Sequence, residues 1–204
     1  MNYFPPLETA DQDGLLAIGG DLSIERLQYA YHHGIFPWFS GKVPMWYSPN
    51  PRFVLFPDEL IVSKSMKQII RSGRFQFTVN RAFSAVIQKC SKIYRDGQIG
   101  TWITDDMIRA YNNLHEKGMA ISAECWHENE LVGGLYGVRV GKVFCGESMF
   151  SEMSNASKFA FIQFVSYLQA HHTTLVDCQV YTAHLESLGA RMISRSDYLA
   201  ILNS

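Results

Sequence analysis

Three consecutive segments in the second half of the chain carry the hydrophobic pattern of β-strands. The segments "AISAECWH", "LVGGLYGVRV" and "KVFCGESMF" are rich in β-branched and other apolar residues, and only the short turns "ENE" and "GK" separate them. Runs of this kind, joined by turns of two or three residues, are typical of antiparallel hairpins. We therefore predict a three-stranded meander over roughly residues 120–150.

Helices and further strands are predicted on both sides of this meander. Before it, "FQFTVN" has the pattern of a strand, Asn80 can cap a helix that ends near Ser91, and Thr104 opens a helix that stops at Gly118. After it, Asn155 opens an amphipathic helix, which the strand "TLVDCQV", the short helix "AHLESLG" and the strand "ARMIS" follow. The order β-α-α-β-β-β-α-β-α-β resembles that of the N-acetyltransferase (GNAT) superfamily. We expect an α+β fold with a mixed, mostly antiparallel sheet and flanking helices.

The first part of the chain has a different composition. Its first 57 residues are rich in Gly, Pro and aromatic residues, and a helix is clearly indicated only from Ser23 to His33, where Ser23 can cap it and Gly34 can end it. The rest of this part is predicted to be turn-like. We predict a small N-terminal domain over residues 1–60 and a GNAT-like transferase domain over residues 61–204.

Composition narrows the possible classes. The chain has 204 residues, of which 47% are hydrophobic, and this is enough for a substantial core. Its beginning lacks the basic and apolar regions of a signal peptide, and no apolar run reaches about 18 residues, so we expect a cytoplasmic protein without a membrane partner. The cysteines are widely spaced, without the pairing of a tetrahedral metal site. We expect reduced thiols and no metal.

The net charge of −1 conceals a strong local asymmetry. Residues 60–95 contain no Asp or Glu, and the spacing of Lys64, Lys67, Arg71 and Arg74 places these four cations along one side of a predicted helix. Such a stripe binds phosphates in some proteins and is a solvated helix face in others. The charge pattern alone leaves both interpretations open.

Three polar residues stand in otherwise apolar strands. Glu147 lies in "KVFCGESMFS", where a buried carboxylate needs a partner group or a cationic ligand. Asp177 and Gln179 are two residues apart in "TLVDCQV", so their side chains are predicted to leave the same face of the strand. Such a pair could hold and deprotonate an amine that attacks a carbonyl. It could equally be a satisfied polar pair that caps neighbouring backbone.

Segments along nearly the whole chain resemble the leucyl/phenylalanyl-tRNA protein transferase family. They are "GLLAIGGDLS", "YHHGIFPWFS", "SPNPR", "SKSMK", "GTWIT", "LVGGLYGV", "FCGESMFS", "NASK", "DCQV" and "HLESLGA". The resemblance implies a bacterial cytoplasmic enzyme that moves Leu or Phe, and less readily Met, from aminoacyl-tRNA to the N-terminal Arg or Lys of an acceptor protein, which marks that protein for N-end-rule degradation. It implies no cofactor, because an aminoacyl ester is already activated.

The resemblance also implies roles for individual residues. Asp177 and Gln179 fall in the family's catalytic strand, and Glu147 falls in its acidic loop, where it would meet a cationic acceptor. The basic stripe would contact tRNA. Trp38 and Trp102 would surround the 3′ end of tRNA, and the side-chain pocket would be lined by Leu135, Phe144, Met149, Phe164 and Val176. Apolar residues at these spacings are also typical of a core, so both interpretations of the lining stay open.

Three other functions remain as alternatives. An acyl-CoA-dependent acetyltransferase would need a Gly-rich pyrophosphate loop, where this chain has "SEMSNASK". A non-catalytic tRNA-binding module would leave the three polar strand residues without a purpose. A relative that synthesises peptidoglycan bridges would use the same donor with a muropeptide amine as the acceptor.

Overall fold

The computed structural model describes residues 3–93 and 103–204. In these ranges the helices are α1 Ile24–His32, α2 Lys64–Arg71, α3 Phe83–Lys92, α4 Asp105–Glu116, α5 Ala156–Ala170, α6 Ala183–Glu186 and α7 Arg195–Leu202. The strands are β1 Leu15–Ile18, β2 Phe36–Pro37, β3 Met45–Tyr47, β4 Arg52–Leu55, β5 Gln76–Val79, β6 Ala120–His127, β7 Glu130–Val140, β8 Val143–Ser151, β9 Leu175–Gln179 and β10 Arg191–Ile193. They form one three-stranded and one seven-stranded sheet.

The seven-stranded sheet has the order β10-β4-β9-β8-β7-β6-β5. Strands β6, β7 and β8 pair antiparallel with their sequence neighbours, which confirms the predicted meander. Strands β8 and β9 pair in parallel, with α5 as the crossover between them. The predicted α+β class, with a mixed and mostly antiparallel sheet and flanking helices, is confirmed.

The sheet separates two hydrophobic cores. Because successive side chains of a strand point to opposite faces, Leu135 and Tyr136 on β7 enter different cores. On one face α5 packs against β6 and β7, and its Phe159 and Phe161 are buried there. On the other face α1, α3, α4 and α7 contribute buried residues to the core that contains Tyr136. Both faces of the sheet are therefore covered.

The N-terminal part is more ordered than the sequence suggested. Helix α1 is capped by Ser23 as predicted, but strands β1 and β2 both pair with β3 in a small sheet, so the prediction of a turn-like remainder was wrong. Strand β4 lies before the predicted boundary at residue 60, yet it pairs with β9 and β10 in the large sheet. The large sheet therefore includes one strand from residues 1–60.

Two local predictions are wrong, and one helix was not predicted. Asn80 does not cap α3, because this helix begins at Phe83 with Ala82 at its N-cap position. The Asn80 Oδ1 atom instead accepts a hydrogen bond from the backbone N–H of Ser122 at 2.9 Å. Arg74 does not lie on α2, which ends at Arg71. Helix α7 was not predicted at all. No helix in the described ranges is long and apolar enough to cross a membrane.

Candidate active site

A cavity opens where the parallel pairing of β8 and β9 stops. The two strands pair only over Val143–Cys145 and Leu175–Asp177. The residues that follow on both strands line a cavity of about 430 Å³, together with residues of β7 and α5 and of the segment after β9. A break in sheet pairing leaves side chains and backbone groups free to face a ligand, so this is the candidate site.

Apolar side chains form one wall of this cavity. Four of the five residues that were predicted to line a side-chain pocket are there: Leu135, Phe144, Met149 and Val176. The fifth, Phe164, is not part of the lining. It lies behind Phe144, whose ring meets the Phe164 ring edge-on with 4.8 Å between the ring centroids. Phe164 therefore supports the wall from within the core.

Trp38 is one of the two aromatic residues that were predicted to contact the 3′ end of tRNA. Trp38 lines the cavity, is 37% exposed and meets the ring of Tyr47 edge-on at 5.4 Å. A large aromatic side chain that is partly exposed beside a cavity can stack on a ligand. Trp102 lies outside the described residues.

Glu147 stands at the polar end of the cavity and is 9% exposed. Its Oε1 atom accepts hydrogen bonds from the Tyr31 hydroxyl at 2.7 Å and from the Gln179 amide nitrogen at 2.8 Å. Its Oε2 atom accepts one from the Tyr111 hydroxyl at 2.9 Å. The two tyrosine oxygens lie 2.5 Å apart. All these donors are neutral, so the carboxylate charge is solvated but not balanced by them.

Burial sets the proton affinity of this carboxyl. It raises the pKa of Glu147 to about 7, against the hydrogen bonds from Tyr31, Tyr111 and Gln179, which lower the pKa; the charge of Asp177 raises it further. Burial likewise raises the pKa of both tyrosines well above the ordinary value, so both hydroxyls keep their protons. A carboxyl in a cavity that titrates near neutral pH is characteristic of functional sites.

Asp177 is also fully buried, but it has a permanent counter-charge. The Arg52 guanidinium donates to both carboxylate oxygens, with Nε to Oδ1 at 2.8 Å and Nη2 to Oδ2 at 2.7 Å. The Tyr198 hydroxyl donates to Oδ2 at 3.0 Å, and the backbone N–H of Gln179 donates to Oδ1 at 2.9 Å. Four donors fill the acceptor positions of a carboxylate. The charge of Asp177 is therefore neutralised within the protein by Arg52.

Gln179 connects the two carboxyl groups. Its backbone N–H binds Asp177, and its side-chain amide binds Glu147. Its φ angle is 65°, a left-handed conformation that a residue with a side chain adopts only when its surroundings hold it there. Asp177 and Arg52 supply one such restraint at the end of β9. The sequence-based expectation that Asp177 and Gln179 act together thus corresponds to a shared hydrogen-bond network in which they serve different partners.

The basic stripe lies on the surface and not in the cavity. Lys64, Lys67 and Arg71 are exposed on α2, and Arg74 is exposed beyond its end, with its guanidinium 5.2 Å from the centre of the Phe75 ring. Ser63 caps α2 by accepting a hydrogen bond from the N–H of Met66, whose side chain anchors the helix in the core. The helix thus turns its cations to solvent.

Several residues of the site escaped sequence reasoning. Further lining residues are Phe36, Tyr136, Ser148, Phe161, Cys178, Val180, Thr182, His184 and Leu185. The partners of the two carboxyl groups, Tyr31, Tyr111, Tyr198 and Arg52, lie on other elements, and hydrophobic periodicity contains no information on them. One signal was present: Arg52 begins the apolar strand "RFVL", and a buried arginine needs an acidic partner.

An α+β fold with a cavity that combines an apolar wall and a titratable carboxyl is typical of an enzyme. Within that class, the sequence models of the family named "Leucyl/phenylalanyl-tRNA protein transferase" match residues 54–203, and those of its N-terminal domain match residues 20–50. The chain belongs to this family and is an aminoacyltransferase.

Relatives that carry this family's name match over nearly their full length. The transferase of Flavobacterium johnsoniae is 55% identical over 203 residues, which are 99% of this chain and 96% of the relative. That of Syntrophus aciditrophicus is 56% identical over 98% of this chain and 84% of its own. The transferase of Pseudomonas putida is 55% identical over 97% of this chain and 89% of its own length. Among solved structures, L-PGS from Bacillus licheniformis is 14% identical with a TM-score of 0.45, over 87% of this chain and 57% of that one.

Proposed function

We propose that this protein transfers Leu or Phe, and less readily Met, from aminoacyl-tRNA to the N-terminal Arg or Lys of acceptor proteins in the cytoplasm, and so marks them for N-end-rule degradation. The observation that carries the proposal is the pairing, in one cavity, of an apolar wall with the buried carboxyl of Glu147. The wall suits the apolar side chain of the donor. The carboxyl suits the cationic end of the acceptor.

The donor side chain enters the apolar end of the cavity. Leu135, Phe144, Met149 and Val176 offer it hydrocarbon surface without a polar group that would require a hydrogen bond. Met149 is unbranched and adaptable, which suits a pocket that accepts both a branched and an aromatic side chain. The 3′ end of the tRNA stacks on Trp38, and the phosphates contact the basic stripe.

The acceptor places its cationic N-terminal residue beside Glu147. An N-terminal Arg or Lys carries two positive charges, on its α-ammonium and on its side chain, and the neutral donors around Glu147 leave its negative charge available to them. Charge-assisted hydrogen bonds in a partly dry site are about twice as strong as neutral ones. A neutral first residue forgoes one of these interactions.

Gln179 and Asp177 align the attacking amine in different ways. The Gln179 side chain donates to Glu147 with its nitrogen, so its carbonyl oxygen is left to accept a hydrogen bond from the acceptor amine. Asp177, whose oxygens are engaged by Arg52, Tyr198 and the Gln179 backbone, holds the end of β9 and acts as an orienting group. Correct alignment of an amine with an ester carbonyl is itself a large part of catalysis.

The reaction proceeds from groups that the substrates bring. The acceptor α-amine, with an ordinary pKa of about 7.7 to 8.0, is partly deprotonated at neutral pH. Its nitrogen attacks the ester carbonyl, the C–O bond to the 3′-oxygen of the tRNA breaks, and that oxygen takes the proton which the nitrogen loses. Because the ester is already activated, the proposed reaction needs no cofactor.

The test is transfer of labelled Phe from Phe-tRNA to peptides that differ only in their first residue. We expect label in peptides that begin with Arg or Lys and at least tenfold less in one that begins with Ala. Glu147→Gln keeps the shape and removes the charge, so it should raise the KM for the Arg peptide far more than the KM for Phe-tRNA. Transfer to a muropeptide amine in place of these peptides would identify a peptidoglycan enzyme instead, and equal losses with all three peptides would restrict Glu147 to anchoring its strand.

A further inference from the structure

The hydrogen bonds around Glu147 cannot all be filled while its carboxyl is ionised. Three oxygen-to-oxygen contacts link the carboxyl and the two tyrosines: Tyr31 to Oε1, Tyr111 to Oε2, and Tyr31 to Tyr111, at 2.7, 2.9 and 2.5 Å. The two hydroxyls supply two protons. If both donate to the carboxylate, the two hydroxyl oxygens face each other at 2.5 Å without a proton between them, an arrangement that is repulsive rather than bonding.

A third proton removes this conflict. When Glu147 is protonated it can donate from Oε2 to Tyr111, Tyr111 can donate to Tyr31, and Tyr31 can donate to Oε1, so that each contact contains one proton. The Gln179 amide continues to donate to Oε1 in either state. We call this closed set of Tyr31, Tyr111 and Glu147 the carboxyl–tyrosine ring. Hydrogen bonds arranged in such a cycle also polarise one another and become stronger.

We propose that Tyr31 and Tyr111 are positioning residues that close the carboxyl–tyrosine ring around a protonated Glu147 in the empty site and release an ionised Glu147 to a cationic acceptor. The inference rests on the proposed function for the identity of that acceptor. It goes further by assigning a role to two tyrosines that never touch the reacting atoms. In the empty cavity the closed ring avoids an unbalanced charge among apolar residues.

The groups around the ring keep their own protonation states near neutral pH, so the change of protonation falls on Glu147. Besides its three members, the groups that face the ring are Tyr136 on β7, Cys145 on β8, and Asp177 and Gln179 on β9, with Arg52 on β4 paired to Asp177. Arg52 and Asp177 compensate each other, and burial raises the pKa of the Cys145 thiol well above its ordinary value. Burial raises the pKa of Glu147 to about 7 against the hydrogen bonds that lower it, so near pH 7 the carboxyl exchanges between its protonated and ionised forms.

The ring makes an unusual prediction for the removal of single hydroxyls. If the tyrosines were ordinary donors to an anion, losing either one would raise the pKa of Glu147. In the ring, the loss of one hydroxyl removes two hydrogen bonds when Glu147 is protonated. When Glu147 is ionised, the same loss removes only one hydrogen bond and also relieves the repulsive contact between the two hydroxyl oxygens. Tyr31→Phe and Tyr111→Phe should therefore each lower the midpoint, by roughly half a unit to one unit. The double variant loses both donors, and its midpoint should lie above those of both single variants.

The experiment titrates Glu147 directly in the ligand-free full chain. Carbon-13 NMR of protein labelled at the glutamate side-chain carboxyl follows each midpoint, and Glu147→Gln identifies the signal by removing it. Tyr167→Phe, which removes a hydroxyl from the half-buried Tyr167 on α5, is the matched control and should leave the midpoint unchanged. A purely structural role of either tyrosine would change the melting temperature without this pattern of midpoints.

The outcomes separate this proposal from the function on which it rests. A fall in both single variants supports the ring, and a rise or no change in a folded single variant overturns it. Addition of an Arg-initiated peptide should lower the midpoint of Glu147 in the wild-type protein relative to the peptide-free wild type, because the cation favours the ionised carboxyl. A lack of this last effect, with the ring pattern intact, would count against the acceptor assignment and not against the ring. The NMR titration uses no tRNA, so failure of transfer cannot produce either result.

Discussion

Glu147 and Asp177 are two buried carboxyl groups in one hydrogen-bond network, and they differ in what balances them. Asp177 has the Arg52 guanidinium on both of its oxygens, 2.8 and 2.7 Å away. Glu147 has two tyrosine hydroxyls and one amide, which are neutral. Gln179 contacts both groups. The same network therefore contains one carboxylate whose charge is permanently compensated and one whose charge is not.

This difference separates a carboxyl group that supports the site from one that can respond to a ligand. A bidentate arginine keeps Asp177 ionised and fixed, and Arg52 is further held by the rings of Phe36 and Tyr198, each with its centre 4.7 Å from the guanidinium carbon. Glu147 changes protonation near neutral pH and so responds to a cation that enters the cavity. In the proposed function, the compensated group gives the site its shape, and the uncompensated group gives it a preference among ligands. Each prediction below acts on one side of this contrast.

The largest effect is expected from removing the permanent counter-charge. Arg52→Met leaves Asp177 buried without a cation, which typically costs about 3 to 5 kcal/mol of stability. Urea unfolding followed by circular dichroism measures the loss. Arg191→Met is the matched control, since Arg191 pairs with Glu59 at the surface, where both side chains are about half exposed; such a pair contributes about 1 kcal/mol or less.

A double variant sharpens the interpretation of that loss. Arg52→Met combined with Asp177→Leu removes both charges, and a buried pair replaced by apolar residues is often close to neutral in stability. We expect the double variant to regain much of what Arg52→Met loses, with no recovery of transfer activity. A loss of less than about 1 kcal/mol in Arg52→Met itself would contradict the assignment of Arg52 as the group that compensates Asp177.

The next largest effect is expected at the residue that joins the two carboxyl groups. Gln179→Ala removes the amide that, in the proposed function, aligns the amine, and we expect turnover to fall by roughly 10², with the fold retained. Asp177→Ala should lower turnover by a similar factor and stability as well, because it leaves Arg52 unpaired. Single-turnover transfer of Phe to an Arg-initiated peptide measures the first effect. Gln169→Ala, at an exposed amide on α5, is the control. Near full activity in folded Gln179→Ala would remove Gln179 from the mechanism.

A smaller effect is expected in the pH dependence of stability. Burial raises the pKa of folded Glu147 to about 7, whereas the ordinary value is 4.5, so between these values the folded protein binds more protons than the unfolded chain. The contribution of Glu147 is therefore fully favourable below about pH 4.5 and declines as the pH rises through about 7. Glu147→Gln abolishes this decline. We expect its stability relative to the wild type to improve by about 1 to 3 kcal/mol between pH 5 and pH 8.

Urea titrations at several pH values measure that trend, and Glu152→Gln serves as control, since Glu152 pairs with Lys89 at the surface. A difference between Glu147→Gln and the wild type that stays constant with pH would show that Glu147 is already ionised throughout. It would then belong with Asp177 among the compensated groups, and the contrast would be lost.

The parts of the molecule that sequence predicted are those with a local pattern. The meander follows from alternating apolar segments and short turns, and helix α4 from the Thr104 cap and the Gly118 stop. The polar strand residues were found because charge is scarce around them. Four residues of the apolar wall followed from the family resemblance, and Phe164 showed its limit, since a helix residue one layer behind the cavity carries the same apolar signal.

The partners of the carboxyl groups could not be predicted, because they are set by long-range packing. Arg52 is 125 positions from Asp177, and Tyr31 is 116 positions from Glu147. Strand β4 was missed since four residues between turns are too few for a clear period, and its position between β9 and β10 depends on the whole sheet. The assignment of one carboxyl to support and the other to reaction required these contacts.

The smallest effect is expected at charges that are neither buried nor paired with one of these carboxyl groups. If Lys64, Lys67, Arg71 and Arg74 meet tRNA phosphates, each change to Ala should weaken binding of all tRNA sequences alike and make log K less steep in log salt by roughly 0.7 to 0.9 per lost contact. Arg74 lies beyond α2 with its guanidinium near Phe75, so its effect should be the least of the four. Lys117, exposed at the end of α4, is the control and should leave the slope unchanged when replaced by Ala. Filter binding over a salt series measures the slope. An unchanged slope in the quadruple variant would make the stripe a solvated helix face, and the tRNA would then dock on another surface.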